Sequence, residues 1–146
     1  MNSNLFTEEN ILKILRRLFS FVIFLNLCFI IISYLLTSQI WISISKPMLW
    51  VITIPLLMLG SLLLESKIVK RMLSKVNKLK NDTGKFTGIL IAHTMLIGII
   101  QGPILLSTVL FLLYGNLLFT LYSIIGLIVL YFKIPKSSII NKLMNN

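Results

Sequence analysis

The stretch that decides the fold is FTGILIAHTMLIGIIQGPILLSTVLFLLYGNLLFTLYSIIGLIVLYF, residues 86–132, which contains no Lys, Arg, Asp or Glu. As one helix it would be about 70 Å long, more than twice the roughly 30 Å of a bilayer's hydrocarbon core. The stretch must therefore fold back once. Tyr114, Gly115 and Asn116 mark the turn, because Gly and Asn tolerate left-handed backbone angles and Tyr favours the lipid–water interface. We expect helices at about 88–113 and 117–132.

Two other apolar stretches, residues 18–36 and 48–64, precede this one. The whole chain is 57% hydrophobic and 12% charged, whereas an ordinary soluble domain has about a quarter of its residues charged. The polar residues are too few to cover the apolar surface of a soluble domain. We therefore predict an all-α, polytopic membrane protein: a single integral-membrane domain over residues 1–146 with four transmembrane helices.

The positive charge is distributed unevenly between the predicted loops. Of the 14 lysines and arginines, all except Lys46 lie before the first helix, between the second and third, or after the fourth. Because Lys and Arg stay on the cytoplasmic side of short loops, both termini should be cytoplasmic and the protein should be multi-pass in the inner membrane. Residues 7–17 are expected to form an interfacial helical lead-in to an uncleaved first span, since LLTSQ after it offers no convincing cleavage site.

The segment at 66–81 carries six of the 14 lysines and arginines. Its apolar residues recur at spacings of three and four, which predicts a basic amphipathic helix that extends helix two along the membrane surface. The residues expected to contact anionic lipid headgroups are Lys67, Lys70, Arg71, Lys75, Lys78 and Lys80. A docking surface for an acidic cytoplasmic partner is the alternative; no recognised fold or aromatic platform points to nucleic acid. After Pro135, residues 137–144 are expected to form a second interfacial segment.

Helix three carries a polar face made by His93, Thr94, Gln101 and Thr108, which fall within about 100° of one another on a helical wheel. We expect this face to point into the bundle, with Gln101 near the bilayer midplane. In one interpretation Gln101 bonds to Thr53, Asn26 or a freed carbonyl and joins helices. In the other, the face lines a cavity for an ion or small solute.

Glycines and prolines predict how the helices meet. Gly98 and Gly102 stand four residues apart, which would let a neighbouring backbone approach closely. Pro55 and Pro103 should kink helices two and three, because a proline cannot donate to the carbonyl four residues earlier and its ring crowds that turn. Each freed carbonyl needs another donor.

Glu65 ends helix two on the same side of the membrane as His93, so the two side chains could pair. If they were buried together, the carboxylate would favour the imidazolium and form a proton-responsive site. A partly hydrated fastening is the alternative, and Glu65 has Lys67 and Lys70 as nearer competitors.

The sequence contains few groups suited to chemistry. Cys28 is the only cysteine, and one His and four acids make a metal site difficult. No Walker loop, nucleophile elbow or zinc motif occurs, so neither a cofactor nor an enzyme is expected. The predicted function is a non-catalytic accessory or scaffold component of a membrane assembly that contacts other membrane proteins or itself. A small transporter or channel that uses the polar face is the first alternative, and a holin-like membrane-permeabilising protein is the second.

The order Gln101-Gly102, an apolar run, Tyr114-Gly115-Asn116 and then Pro135-Lys136-Ser137 resembles a group of small, uncharacterised four-helix bacterial membrane proteins. In that group an acid precedes a small residue, which makes the helix distantly similar to the acid-bearing helix of rotary ATP synthase c subunits. Here Gln101 stands at the acid position, and helix one lacks the glycine run of c subunits. The resemblance therefore implies no proton carrier, and suggests that helix three packs in a protein assembly.

Overall fold

The computed structural model of the chain describes residues 8–37, 40–42, 48–79, 81–137 and 140. Almost all of these residues are helical. They are α1 (Glu8–Leu36), α2 (Met48–Val76), α3 (Asp82–Tyr114) and α4 (Leu117–Phe132). The all-helical prediction is confirmed, and these described ranges contain no strand. Three helices are long and apolar enough to cross a membrane, whereas α4 is apolar but has 16 residues.

Some helix ends differ from the expected ones. The lead-in at 7–17 is not separate from the first span, because α1 is continuous from Glu8. The helix expected over 66–81 is continuous with α2 but ends at Val76, and α3 begins earlier than residue 88, at Asp82. The reason is a cap: Asn81 Oδ1 accepts a hydrogen bond from the Thr83 amide at 3.1 Å, which starts α3 directly after a short turn.

The turn between α3 and α4 is built by Gly115 and Asn116, as the sequence indicates. Gly115 has φ 66°, a left-handed angle that a side chain would disfavour, and its amide bonds to the Phe111 carbonyl. Asn116 caps α4 by accepting from the Leu118 amide. Trp41, from the segment joining α1 to α2, donates its amide to the Gly115 carbonyl and accepts from the Leu117 amide, both at 3.0 Å. The two connections at this end of the bundle are therefore tied together.

Helix α3 is the centre of the bundle and contacts all three other helices. It runs parallel to α1, because Ile11 and Ile89 share one apolar cluster while Tyr34 stacks on Phe111 farther along both helices. It runs antiparallel to α4 across the tight turn. Helices α2 and α4 approach each other less extensively than either approaches α3.

We call the part of the bundle around Ile11, Val76, Ile89 and Ile140 the basic end, because the described lysines and arginines lie toward it. A middle cluster and a cluster near the α3–α4 turn complete the core. Large apolar side chains such as Phe24 and Leu63 are exposed along the outer faces of the helices. A surface of this kind suits lipid rather than water. Of the interfacial segment expected at 137–144, only Ser137 and Ile140 lie within the described residues.

Candidate functional site

The four residues of the predicted polar face of α3 have different surroundings. His93 and Thr108 are buried, Gln101 is half-buried and Thr94 is exposed. The Thr94 hydroxyl donates to the Leu90 carbonyl of its own helix. The face therefore does not line one cavity; it runs from the core of the bundle at His93 to its outside at Thr94.

The buried carboxylate of Glu65 pairs with Lys133 at the end of α4, and not with His93. Lys133 Nζ lies 2.8 Å from Glu65 Oε2. His93 Nδ1 lies 2.9 Å from the Ile89 carbonyl oxygen of its own helix. The hypothesis of a Glu65–His93 pair must be corrected accordingly, because Glu65 on α2 faces the basic residue that directly follows α4.

Gln101 makes no hydrogen bond to any group in the described part of the chain. The side chains that the sequence offers as partners donate within their own helices: the Thr53 hydroxyl donates to the Leu49 carbonyl, and Asn26 Nδ2 donates to the Val22 carbonyl, while Asn26 Oδ1 is buried without a partner among the described residues. The Gln101 amide is thus half-buried in an apolar helix, on the flank of α3 that turns from the core toward the outside.

The Gly98–Gly102 pair faces away from the bundle. A Cβ built on either glycine meets nothing within 4 Å. The close helix contacts among the described residues lie at other glycines: a Cβ on Gly126 would meet Ile104 Cγ1, and one on Gly88 would meet Val76 Cγ2. The packing face expected at Gly98 and Gly102 is therefore not used by the other helices described here.

Side chains of α3 and α4 form a buried polar cluster that the sequence interpretation did not identify beyond Thr108. The hydroxyls of Thr108 and Ser123 lie 2.9 Å apart, and both also reach the Ile104 carbonyl. Ser107 Oγ donates across the hairpin to the Phe119 carbonyl. The sequence does contain one indication of this pair: Thr108 precedes Gly115 by as many residues as Ser123 follows Asn116. Equal spacing from the turn brings two residues opposite each other in an antiparallel hairpin.

Both prolines lie inside helices that continue past them, and the predicted kinks stay a prediction. Pro55 cannot donate to the Val51 carbonyl, and the structure supplies a substitute donor: the Tyr122 hydroxyl of α4, at 3.2 Å from that oxygen. The sequence predicts that the Val51 carbonyl needs another donor, because Pro55 has no N–H. It does not identify Tyr122 as that donor, because it does not show that α4 lies beside α2.

Between Tyr122 and Lys133, α2 and α4 border a groove of about 320 Å³. Its walls come from both helices and its floor from α3. The residues that line this α2–α4 groove are Pro55, Met58, Leu59, Ser61, Leu62, Ile100, Tyr122, Ile125, Gly126 and Val129. Almost all of them are apolar, so the groove suits an apolar ligand.

The basic residues of α2 and its following turn that are expected to contact lipid headgroups lie on the surface, and that contact stays a prediction. Lys67, Lys70, Arg71, Lys75 and Lys78 are all exposed, and Lys80 lies outside the described residues. Lys85 differs, because it is buried in the first turns of α3. Over the part of the chain whose placement is described, no three His, Cys, Asp or Glu residues are grouped as metal ligands.

Comparison of the chain with known protein families, with curated proteins and with solved structures gave no match in any of the three. The resemblance to small four-helix bacterial membrane proteins therefore stays a hypothesis that rests on the sequence motifs.

Proposed function

We propose that this protein is a non-catalytic component of a membrane assembly, and that α3 is the helix through which it joins that assembly. The observation that carries the proposal is an outer face of α3, formed by Thr94, Gly98, Gln101, Gly102 and Leu105, which the described residues of the chain leave largely uncovered. The partner is another membrane protein or a second copy of this chain.

Two properties of this α3 outer face favour a helix as the partner. The Gln101 amide makes no hydrogen bond within the described chain, and a polar group in the hydrocarbon layer is stabilised by finding one. Next to it, the space around Gly98 and Gly102 would let a second backbone approach closely. A helix that packs over the glycines would bring its polar atoms within reach of Gln101.

The proposal includes the topology. We infer that α4, about 24 Å long at 1.5 Å per residue, crosses the bilayer as a fourth span, because it packs antiparallel along α3. The basic end is then cytoplasmic, with both termini on that side and the chain in a bacterial-type inner membrane. The exposed lysines of α2 contact anionic headgroups in this arrangement.

The test is co-purification of the full chain in mild detergent, followed by mass spectrometry of the proteins that stay bound at a fixed ratio. Gly98→Ile and Gly102→Ile should each remove the bound protein, because the added side chain holds the partner helix away. The matched control is Gly60→Ile, since a Cβ on Gly60 also meets nothing within 4 Å. An unchanged ratio in both α3 variants would overturn the proposal.

Gln101→Leu should reduce the amount of partner about threefold, since interhelical hydrogen bonds average roughly 0.6 kcal/mol. Leu105→Ala, at a position 37% exposed on the same face, should have less effect. Two further measurements address the alternative functions. A transporter should move solute when reconstituted in liposomes, and a holin should kill cells on induction; either result would replace the assembly role.

A further inference from the structure

The α2–α4 groove is bounded by two polar contacts that join the same two helices. At one limit the Tyr122 hydroxyl donates to the Val51 carbonyl, and at the other Lys133 pairs with Glu65. Val51 and Glu65 are about 21 Å apart along α2, since each helical residue rises about 1.5 Å. The two helices are thus joined by a polar contact on each side of the groove, so the groove is part of how the bundle is built.

Gly126 lets α4 pack closely against its neighbours beside the groove. Gly126 has no room for a side chain, because a Cβ there would meet Ile104 and also lie 3.2 Å from Met58 Cε. Ile100 of α3 closes the floor, whereas Leu59 and Ile125 at the rim are 60% and 45% exposed. The groove is therefore open sideways. The groove volume of about 320 Å³ is roughly ten times the 30 Å³ or so that one water molecule occupies in the liquid. A groove of this size suits a segment of a single acyl chain.

The groove leads toward cations at the basic end. Lys133 has three N–H donors, of which Glu65 accepts one, and its side chain is 37% exposed. Lys133 directly follows α4, one helical turn beyond the groove residue Val129. Its ammonium group is therefore placed to meet an anion at the end of the groove.

We propose that the α2–α4 groove binds one anionic phospholipid, with an acyl chain between the two helices and the phosphate held by Lys133. An apolar groove with a cation just beyond one end matches an amphiphile whose charge is at the end of its chain. The site is separate from the α3 outer face, so it goes beyond the assembly role and is tested independently of it.

The first test is native mass spectrometry of the full chain in mild detergent, titrated with dioleoyl-phosphatidylglycerol or dioleoyl-phosphatidylcholine. One phosphatidylglycerol should bind at least about fivefold more tightly than phosphatidylcholine, the effect of one lysine near an anionic surface. Ile125→Trp should abolish binding by filling the groove. The control is Leu25→Trp, because Leu25 on α1 is 47% exposed against 45% for Ile125 and does not line the groove.

The second test changes the charges. Lys133→Gln should lower the affinity for phosphatidylglycerol about fivefold, and Lys75→Gln, at another exposed lysine, should not. Glu65→Gln should raise it, because the Lys133 ammonium is then no longer shared with a carboxylate. Since Lys133→Gln leaves Glu65 buried without its cation, the Glu65→Gln/Lys133→Gln variant provides a neutral pair and should bind as weakly as Lys133→Gln.

Three results would overturn the proposal. The first is equal affinity for the two lipids, and the second is equal binding by Ile125→Trp and Leu25→Trp. The third is a dimer that Ile125→Trp disrupts while lipid binding is unchanged, which would assign the groove to a second copy of the chain. Inorganic phosphate alone should not displace the lipid, because it lacks the acyl chain.

Discussion

Pro55 removes one backbone donor from α2, and Tyr122 of α4 supplies another at the same carbonyl oxygen. The Val51 oxygen would otherwise lack its helical hydrogen bond in an apolar layer, where an unsatisfied carbonyl is costly. A residue that weakens one helix thereby creates an attachment point for a second. This contact also sets one limit of the α2–α4 groove.

Tyr122→Phe should destabilise the bundle by about 0.6 kcal/mol and by no more than about 1.7 kcal/mol, the range measured for interhelical hydrogen bonds. In a Pro55→Ala background the same substitution should cost almost nothing, because the backbone N–H restored at position 55 then donates to Val51. The measurement is the free energy of unfolding in mixed micelles for all four proteins of this cycle.

The control for this cycle is Tyr131→Phe, since Tyr131 is 62% exposed and makes no hydrogen bond within the described chain. An equal cost of Tyr122→Phe in both backgrounds would mean that the hydroxyl acts on something other than the carbonyl freed by Pro55.

Helices α3 and α4 form a hairpin that is joined along its length. The Gly115 turn, the Thr108–Ser123 hydroxyl pair and the approach of Gly126 to Ile104 lie at three successive levels along it. The hairpin presents the α3 outer face on one side and the floor and one wall of the groove on the other.

Gly126→Ala should destabilise the protein by about 1–3 kcal/mol, the usual cost of overpacking a core. The physical reason is that Ile104 is fully buried and has little room to move away from the added methyl group. Gly60→Ala should instead gain up to about 1 kcal/mol from helix propensity, since nothing lies near that position. Thermal unfolding of the two variants side by side is the measurement; equal shifts would contradict the close approach.

At the level of elements, the sequence predicts what depends on neighbours along the chain. The α3–α4 turn, the range of α4 and the continuation of α2 beyond the apolar core all follow from local composition. Pairings between helices do not, because the sequence does not specify which helices are adjacent. Lys133, Tyr122 and Ser123 were missed for that reason. The sequence predicts that Gln101 points into the bundle, because polar side chains on one face of a helix usually have similar surroundings. In the structure this face of α3 lies at the edge of the bundle, so that some of its residues are buried and others are exposed.

For the whole molecule, the charge distribution and the parallel course of α1 and α3 determine how the bundle would sit in a bilayer. The basic end gathers the described cations, whereas the described residues around Trp41 and Gly115 at the opposite end are uncharged and the α1–α2 connection contains a single lysine, Lys46. Transfer of the basic end across the membrane is costly, so one orientation should dominate.

Cysteine labelling tests this orientation. In a Cys28→Ser background, single cysteines replacing Asn81 and Ile42, both exposed, should react with a membrane-impermeant maleimide from opposite sides of the membrane. Asn81 should be protected in intact cells and Ile42 should be labelled. Labelling of both from the same side would contradict the proposed arrangement of α2.

The two backbone bonds of Trp41 also affect where the protein can be engineered. They join the α1–α2 connection to the α3–α4 turn, so foreign residues inserted beside Trp41 would disturb two connections at once. The turn after α2 makes only local backbone bonds, from Asn77, Lys78 and Leu79 to carbonyls of the preceding helix, and those residues are exposed. A reporter domain or an epitope is therefore better tolerated there than near Trp41.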